Sequence, residues 1–176
     1  DAVAASFSIE RMRDDLIEVI DFVRERTGQE KVVILGHSWG TVIGLQAALA
    51  RPDAVSVYIG SGQMVNMRRN EQVGFDATLA AARADGNAQA IADLEALAPY
   101  PGPGALTLAR IGAQRNWLIH YGGTGGFRSD IDPWFRAIRL APEYTEDDRK
   151  TYDEGGLIAL EALLPELTEV DFDTVT

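Results

Sequence analysis

Apolar residues recur at helical spacing over "SIERMRDDLIEVIDFVRER", residues 8–26, where Ile9, Met12, Leu16, Val19 and Val23 fall on one stripe. Ser8 has the side chain of an N-cap, Glu10 suits the positive end of such a helix, and Arg24 and Arg26 suit the negative end. Gly28 supplies a left-handed stop. The pattern then loses its helical period. "KVVIL", residues 31–35, is an apolar β-branched run without alternation, as a strand buried on both faces of a parallel sheet reads. A small-residue helix follows from about Trp39 to Arg51, closed by Pro52, and "VSVYIG", residues 55–60, reads as a second strand. Strand, helix and strand at this spacing predict a right-handed parallel crossover.

Beyond Gly62 no further strand pattern returns. Residues 70–85 and 87–98 read as helices parted by Gly86 and Asn87, and "APYPGPGAL" is a Pro/Gly break. Residues 105–120 form another helix ended by "YGGTGG", and a short one is expected around Trp134 to Leu140. Thr145 with Asp148 three residues on resembles a capping box, and Gly155 and Gly156 are expected to bend or split the helix it opens. Two parallel strands do not make a stable sheet alone, so the organisation looks like part of a larger α/β sheet.

Composition narrows the chemistry. The 176 residues suffice for a substantial core, and the formal net charge of -11 disfavours nucleic acid and anionic membrane as partners. There is no cysteine, so disulfides, thiolate metal sites and a cysteine nucleophile are excluded. Two histidines, His37 and His120, leave little for a His-rich metal site. No apolar run reaches the length of a membrane-spanning helix.

The chemistry sits at "GHSWG", residues 36–40. A Gly-x-Ser-x-Gly string is weak on its own because Gly and Ser are common. Here it follows a buried strand and opens a helix, the context in which such a turn presents its serine as a nucleophile. Side chains at Gly36 and Gly40 are expected to collide with neighbouring backbone, and Ser38 is expected to be strained and exposed at the carboxyl edge of the sheet. The backbone N–H of Trp39, at the start of the next helix, is then placed to meet an acyl oxyanion.

"VVILGHSWGTVIGLQAALARPDAVSVYIGSGQMVN" resembles the centre of the α/β-hydrolase superfamily, and within it the branch of the proline iminopeptidases. Gly36, Ser38, Trp39 and Gly40 carry the likeness, with Pro52, "GSGQMVN" at 60–66 and "NWLIHYGG" at 116–123. The resemblance implies an α/β fold: a partial α/β-hydrolase core over 1–62, a helical cap over 63–170 and a linker over 171–176 returning to the core. It implies a serine hydrolase acting through an acyl-enzyme on a small-molecule ester or peptide or amide, with Ser38 as nucleophile and Trp39 as oxyanion donor. It implies no metal and no organic cofactor. No His-Gly-Gly oxyanion motif precedes the first helix, and the family's acid and histidine follow later strands. The chain therefore reads as an internal slice whose partner is the remainder of its own hydrolase core. An aspartate-nucleophile dehalogenase or epoxide hydrolase is disfavoured because the elbow holds serine.

Other residues carry two readings each. Gln63 and Asn66, just past the second strand, are candidate substrate contacts. His37 is read as a packing or hydrogen-bonding residue, and His120 as a helix-terminal cation. A cap-borne base, His120 oriented by Asp76 or Asp93, is the sharper alternative. Trp39, Trp117, Trp134, Phe127 and Phe135 could line an acyl pocket, although core packing suits them better. Glu71 and Glu95 could bind a substrate amine, although a solvated helix charge is the plainer reading. A non-catalytic fragment that keeps the elbow is the competing account from another class, and a perhydrolase or C–C bond hydrolase on the same scaffold is a third.

Overall fold

A computed structural model describes residues 6–104, 106–126, 129, 136 and 139–173. The chain divides into two compact units, Asp1–Met67 with Glu166–Thr176, and Arg68–Pro165. The order of elements is α1 (Ile9–Thr27), β1 (Val32–His37), α2 (Gly40–Ala50), β2 (Val55–Ser61), α3 (Met67–Asp85), α4 (Ala88–Glu95), α5 (Leu108–His120) and α6 (Glu146–Thr168). The expected helix around Trp134 lies largely outside the described residues.

The first unit is built around the strand–helix–strand segment. Strands β1 and β2 pair in parallel, with Ile34 beside Tyr58, Gly36 beside Gly60 and His37 beside Ser61. Ile20 of α1, Ile34 of β1, Ala47 of α2 and Ala54 form the core, and Leu16, Ile17, Val32, Ala48, Val55 and Tyr58 pack against it. Ser8 caps α1 by accepting from the N–H of Arg11 at 3.0 Å, and Gly28 ends the helix at φ +68°. The carboxylate of Glu166 accepts the N–H of Ile9 at 2.9 Å, placing negative charge at the positive end of α1. Residues 65–67 and 170–172 run antiparallel, joined by Met67 N–H to Val170 C=O (3.0 Å) and Phe172 N–H to Val65 C=O (2.6 Å).

Two expectations change here. The core-facing stripe of α1 runs through buried Ile9 and Ile20 and partly buried Leu16 and Ile17, whereas Val19 and Val23 are exposed. The helix is rotated so that Ile20, one residue on from Val19, meets the core. Strand β1 is also covered on one face only. Ile34 and Gly36 are buried, while Val33 is 59% and Leu35 69% exposed, with Val57 and Ile59 of β2 exposed as well. Strand side chains alternate between faces, so the helices that cover Ile34 cannot cover Val33. The unalternating apolar run signals a two-sided position that these residues fill from one side.

The second unit is helical. Asn87 caps α4 through the N–H of Ala90 (3.1 Å), and Thr107 caps α5 through that of Arg110 (3.3 Å). Thr145 and Asp148 form a reciprocal capping box. The N–H of Asp148 donates to Thr145 Oγ1 at 3.2 Å, and the Asp148 carboxylate accepts the N–H of Thr145 at 2.9 Å. The Thr145 hydroxyl, which donates to the same carboxylate at 2.7 Å, and then the Thr145 N–H hold the Asp148 carboxyl below the usual aspartate range. Gly155 and Gly156 do not split α6, which is one helix through both glycines and through Pro165. Glycine lowers helix propensity without forbidding the helix, and proline removes one donor.

Polar groups order the interior of this unit. Glu71 is 0% exposed. Its carboxylate accepts both terminal nitrogens of the Arg115 guanidinium and the hydroxyl of Tyr100, the last at 2.5 Å. Arg115 also donates to the buried amide oxygen of Gln114. The Tyr100 ring stacks on Phe75 with centroids 5.2 Å apart, and the Arg110 guanidinium lies 5.7 Å from its centre. Burial first, then the Glu71 carboxylate, pushes the Tyr100 hydroxyl well above the usual tyrosine range. Arg110 donates to the carbonyls of Leu97 and Pro99, and Arg68 to those of Gly102 and Gly104. The Pro/Gly break is thus held by arginines. Reading Glu71 as a solvated charge is overturned by its burial. Glu95, half exposed and paired with Arg83 at 2.8 Å, is such a charge.

Candidate active site

The turn between β1 and α2 is set by steric demands. A Cβ at Gly36 would stand 3.0 Å from both the carbonyl oxygen of Gly40 and the Cα of Thr41, so backbone would have to move. Gly40 differs from expectation. A Cβ there meets nothing within 4 Å outside its own helix. Gly44, one turn on, lets α2 approach the sheet, with Tyr58 and Ile34 lying 3.1 and 3.4 Å from where its Cβ would be.

Among the described residues Ser38 alone combines a side chain with a left-handed backbone, at φ +52°. That conformation costs an L-residue roughly 1–3 kcal/mol and persists only where surroundings impose it. Here they do. The Ser38 N–H donates to the Ser61 carbonyl at 3.0 Å. The Ser38 carbonyl accepts from the N–H of Thr41 at 2.9 Å and from its hydroxyl at 2.6 Å. Ser38 itself is exposed. The N–H of Val42 turns back to the carbonyl of Trp39 at 3.0 Å. Trp39 precedes the first residue of α2, where N–H groups have no intrahelical acceptor, and no side chain caps this end. The result is an exposed hydroxyl next to the N–H of Trp39 at a helix N-terminus.

The loop after β2 closes around the same turn. Buried Thr41 Oγ1 accepts the N–H of Met64 at 3.1 Å. The Tyr58 hydroxyl lies 3.1 Å from the Thr41 carbonyl and 2.5 Å from Gln63 Oε1, with one proton to donate between them. Burial raises the pKa of that hydroxyl, against the bond to Gln63. The Gln63 amide nitrogen donates to Met64 C=O at 3.1 Å. Asn66 donates to the Asp173 carboxylate at 3.4 Å. Gln63 and Asn66 therefore stand at the edge the sequence places them on, with both amides engaged in shaping the loop. Thr41 and Tyr58 were not singled out from sequence. The available signals were a threonine directly after the Gly-x-Ser-x-Gly string and a polar ring in an apolar strand.

The other candidates sit as follows. His37 Nδ1 lies 3.4 Å from Ser61 Oγ, its cross-strand partner. His120, at the end of α5, packs edge-on to Trp117 and Tyr121, at centroid distances of 5.5 and 4.7 Å. The carboxylates proposed to orient it serve other groups. Asp93 accepts from Trp117 and Gln89, and Asp76 from Gln72. Phe127, Trp134 and Phe135 lie outside the described residues. Among the described residues no cluster of His, Asp and Glu could hold a metal, and no helix is long and apolar enough to cross a membrane.

The family model described as alpha/beta hydrolase fold matches residues 5–99, just over half of the chain, including both strands and the turn. The probable aminopeptidase YbaC of Bacillus subtilis is 30% identical over 70 residues, covering 40% of this chain and 22% of that protein. Lipase member N of Homo sapiens is 47% identical over 49 residues, 27% of this chain and 12% of the lipase. Gastric triacylglycerol lipase of Mus musculus is 46% identical over 48 residues, again 27% and 12%. The chain thus spans less than a quarter of the length of these curated relatives. No solved structure gives a significant match. The chain belongs to the alpha/beta hydrolase fold family.

Proposed function

We propose that this chain carries the nucleophile of a serine hydrolase that cleaves an ester or a small peptide or amide through an acyl-enzyme. The observation that carries the reading is the strained, exposed Ser38 at φ +52° on the strand-to-helix turn. Ser38 Oγ attacks the substrate carbonyl, and the N–H of Trp39 donates to the oxyanion that forms. A histidine takes the serine proton and returns it to the leaving group, and a carboxylate orients that histidine. Neither His37 nor His120 is assigned this role, given the partners described above. The base and acid are proposed to come from the remainder of the hydrolase core, outside these 176 residues. Water then hydrolyses the acyl-enzyme. No metal or organic cofactor enters these steps.

The helical region, 63–170, is proposed as a cap over the site, as in the proline iminopeptidase branch that the elbow and "NWLIHYGG" resemble. The relatives, one named an aminopeptidase and two named lipases, leave both an amide and an ester open as the substrate of this chain. A peptidase reading favours an amino-terminal substrate, and a lipase reading an ester. With Glu71 committed to Arg115 and Tyr100, an amine-binding acid in the cap would have to be another residue.

The test uses the native protein with a 4-nitrophenyl acyl ester and an aminoacyl 4-nitroanilide. Turnover of at least one that falls by about 10³-fold or more in Ser38→Ala supports the reading. Turnover retained by Ser38→Ala contradicts it. The preferred substrate decides between esterase and aminopeptidase. A wild-type protein inert towards both favours the non-catalytic account, in which this chain keeps the elbow and supplies neither acid nor base.

A further inference from the structure

The peptide unit between Ser38 and Trp39 joins two groups with different fates. Its carbonyl oxygen receives two hydrogen bonds from one residue, the N–H of Thr41 at 2.9 Å and the Thr41 hydroxyl at 2.6 Å. Its N–H is that of Trp39. A peptide unit is planar and trans, so its C=O and N–H point in opposite directions and turn together. Two donors on the oxygen therefore fix the direction of the N–H.

We propose that Thr41 is a positioning residue that aims the Trp39 N–H at the oxyanion and locks the left-handed Ser38, an inference that rests on the hydrolase reading above. The hydroxyl suits this task because it is both donor and acceptor. It donates to Ser38 C=O and accepts the N–H of Met64 at 3.1 Å, so the elbow is tied to the loop after β2 through one oxygen atom. Thr41 is 0% exposed, which removes water as a competitor for these bonds. The Tyr58 hydroxyl, within reach of the Thr41 carbonyl and Gln63 Oε1, extends the tie to the side chain of Gln63. Valine has the shape of threonine without the donor. It would leave Ser38 C=O with one bond and Met64 N–H with none.

The test compares Thr41→Val and Thr41→Ser in the native protein, with Thr41→Ala in place of valine should that variant not fold. Four quantities are read: kcat and KM on the better of the two chromogenic substrates, the rate of fluorophosphonate labelling, and amide hydrogen exchange at Met64. Removing an oxyanion donor outright costs about 10²–10³-fold in kcat, so misaiming one is expected to cost about 10–100-fold. The expected result is that loss in kcat for Thr41→Val with KM near wild type. Labelling should slow in parallel, Met64 should exchange faster, and Thr41→Ser should recover most of the rate. An unchanged kcat in Thr41→Val overturns the proposal. So does an equal loss in both variants accompanied by a lowered melting temperature, the mark of a purely structural residue. A wild-type protein that neither turns over nor labels defeats the hydrolase reading instead. Met64 exchange then judges the tie alone: loss of protection in Thr41→Val upholds it, and unchanged protection overturns it.

Discussion

The two units of this chain use buried polar groups in opposite ways. In the strand-bearing unit a neutral hydroxyl, that of Thr41, bonds backbone three and 23 residues away, and the product is a strained, exposed serine. In the helical unit a charged carboxylate, that of Glu71, is sealed by an arginine 44 residues away and a tyrosine 29 residues away, and the product is a closed interior. A neutral clamp can hold a reactive turn open to solvent. A buried ion pair instead ties helices to one another and leaves no charge free for a ligand. The comparison separates a unit that holds a strained turn open to solvent from one that pairs its buried charge internally.

The sharpest way to break that comparison is to remove the counter-charge in the helical unit. Arg115→Met leaves Glu71 buried and uncompensated, and a cost of about 3–5 kcal/mol in denaturant unfolding is expected. The double variant Glu71→Leu with Arg115→Met should recover most of it, because an apolar pair of similar volume carries no desolvation penalty. A single variant that unfolds at the wild-type midpoint would mean that Glu71 is not the organising charge. Labelling of Ser38 should be unaffected by the double variant if the elbow depends on its own unit.

A smaller effect is expected in the strand-bearing unit. Gly36→Ala pushes a methyl group against the Gly40 carbonyl and Thr41 Cα, and a loss of about 1–3 kcal/mol is expected together with slower labelling of Ser38. Gly40→Ala enters open space and should change stability by about 1 kcal/mol or less. Equal effects from the two substitutions, measured by thermal unfolding and labelling rate, would remove the steric argument for the turn.

The smallest effect contrasts exposed with buried charge inside the helical unit. Thr145 holds the Asp148 carboxyl below the usual aspartate range. A depressed carboxylate pKa contributes stability that is complete above the unfolded value near 3.8 and is lost as pH falls through the folded value. Thr145→Ala should raise the Asp148 pKa toward that unfolded value, as read by NMR titration. A titration unchanged by the substitution would leave the capping box without electrostatic content.

How much of this was legible in the sequence follows the same divide. Ser8, Gly28, Asn87 and Thr145 act within a few residues of themselves, so those helix ends could be placed from spacing or capping chemistry; Thr107 was not singled out, and α5 starts at Leu108 rather than at 105. The Gly-x-Ser-x-Gly turn is equally local, and its strain at Ser38 was foreseeable. The role of Gly40 was not, because open space depends on where the turn points. The facing of α1 was missed by one position because Val19 and Ile20 are both apolar, and only packing decides between them. Glu71 and Arg115 were invisible as a pair because a helix charge reads the same whether solvent or an arginine from a distant helix meets it. Thr41 was passed over for the same reason, its bond to Met64 being set by the return of β2.

The central claim is that Ser38 is an activated nucleophile. The most direct measurement is the site of fluorophosphonate attachment in the native protein, by intact mass followed by peptide mapping. The account predicts one adduct, on Ser38, that is absent from Ser38→Ala. No adduct, or one located at another serine, would contradict it.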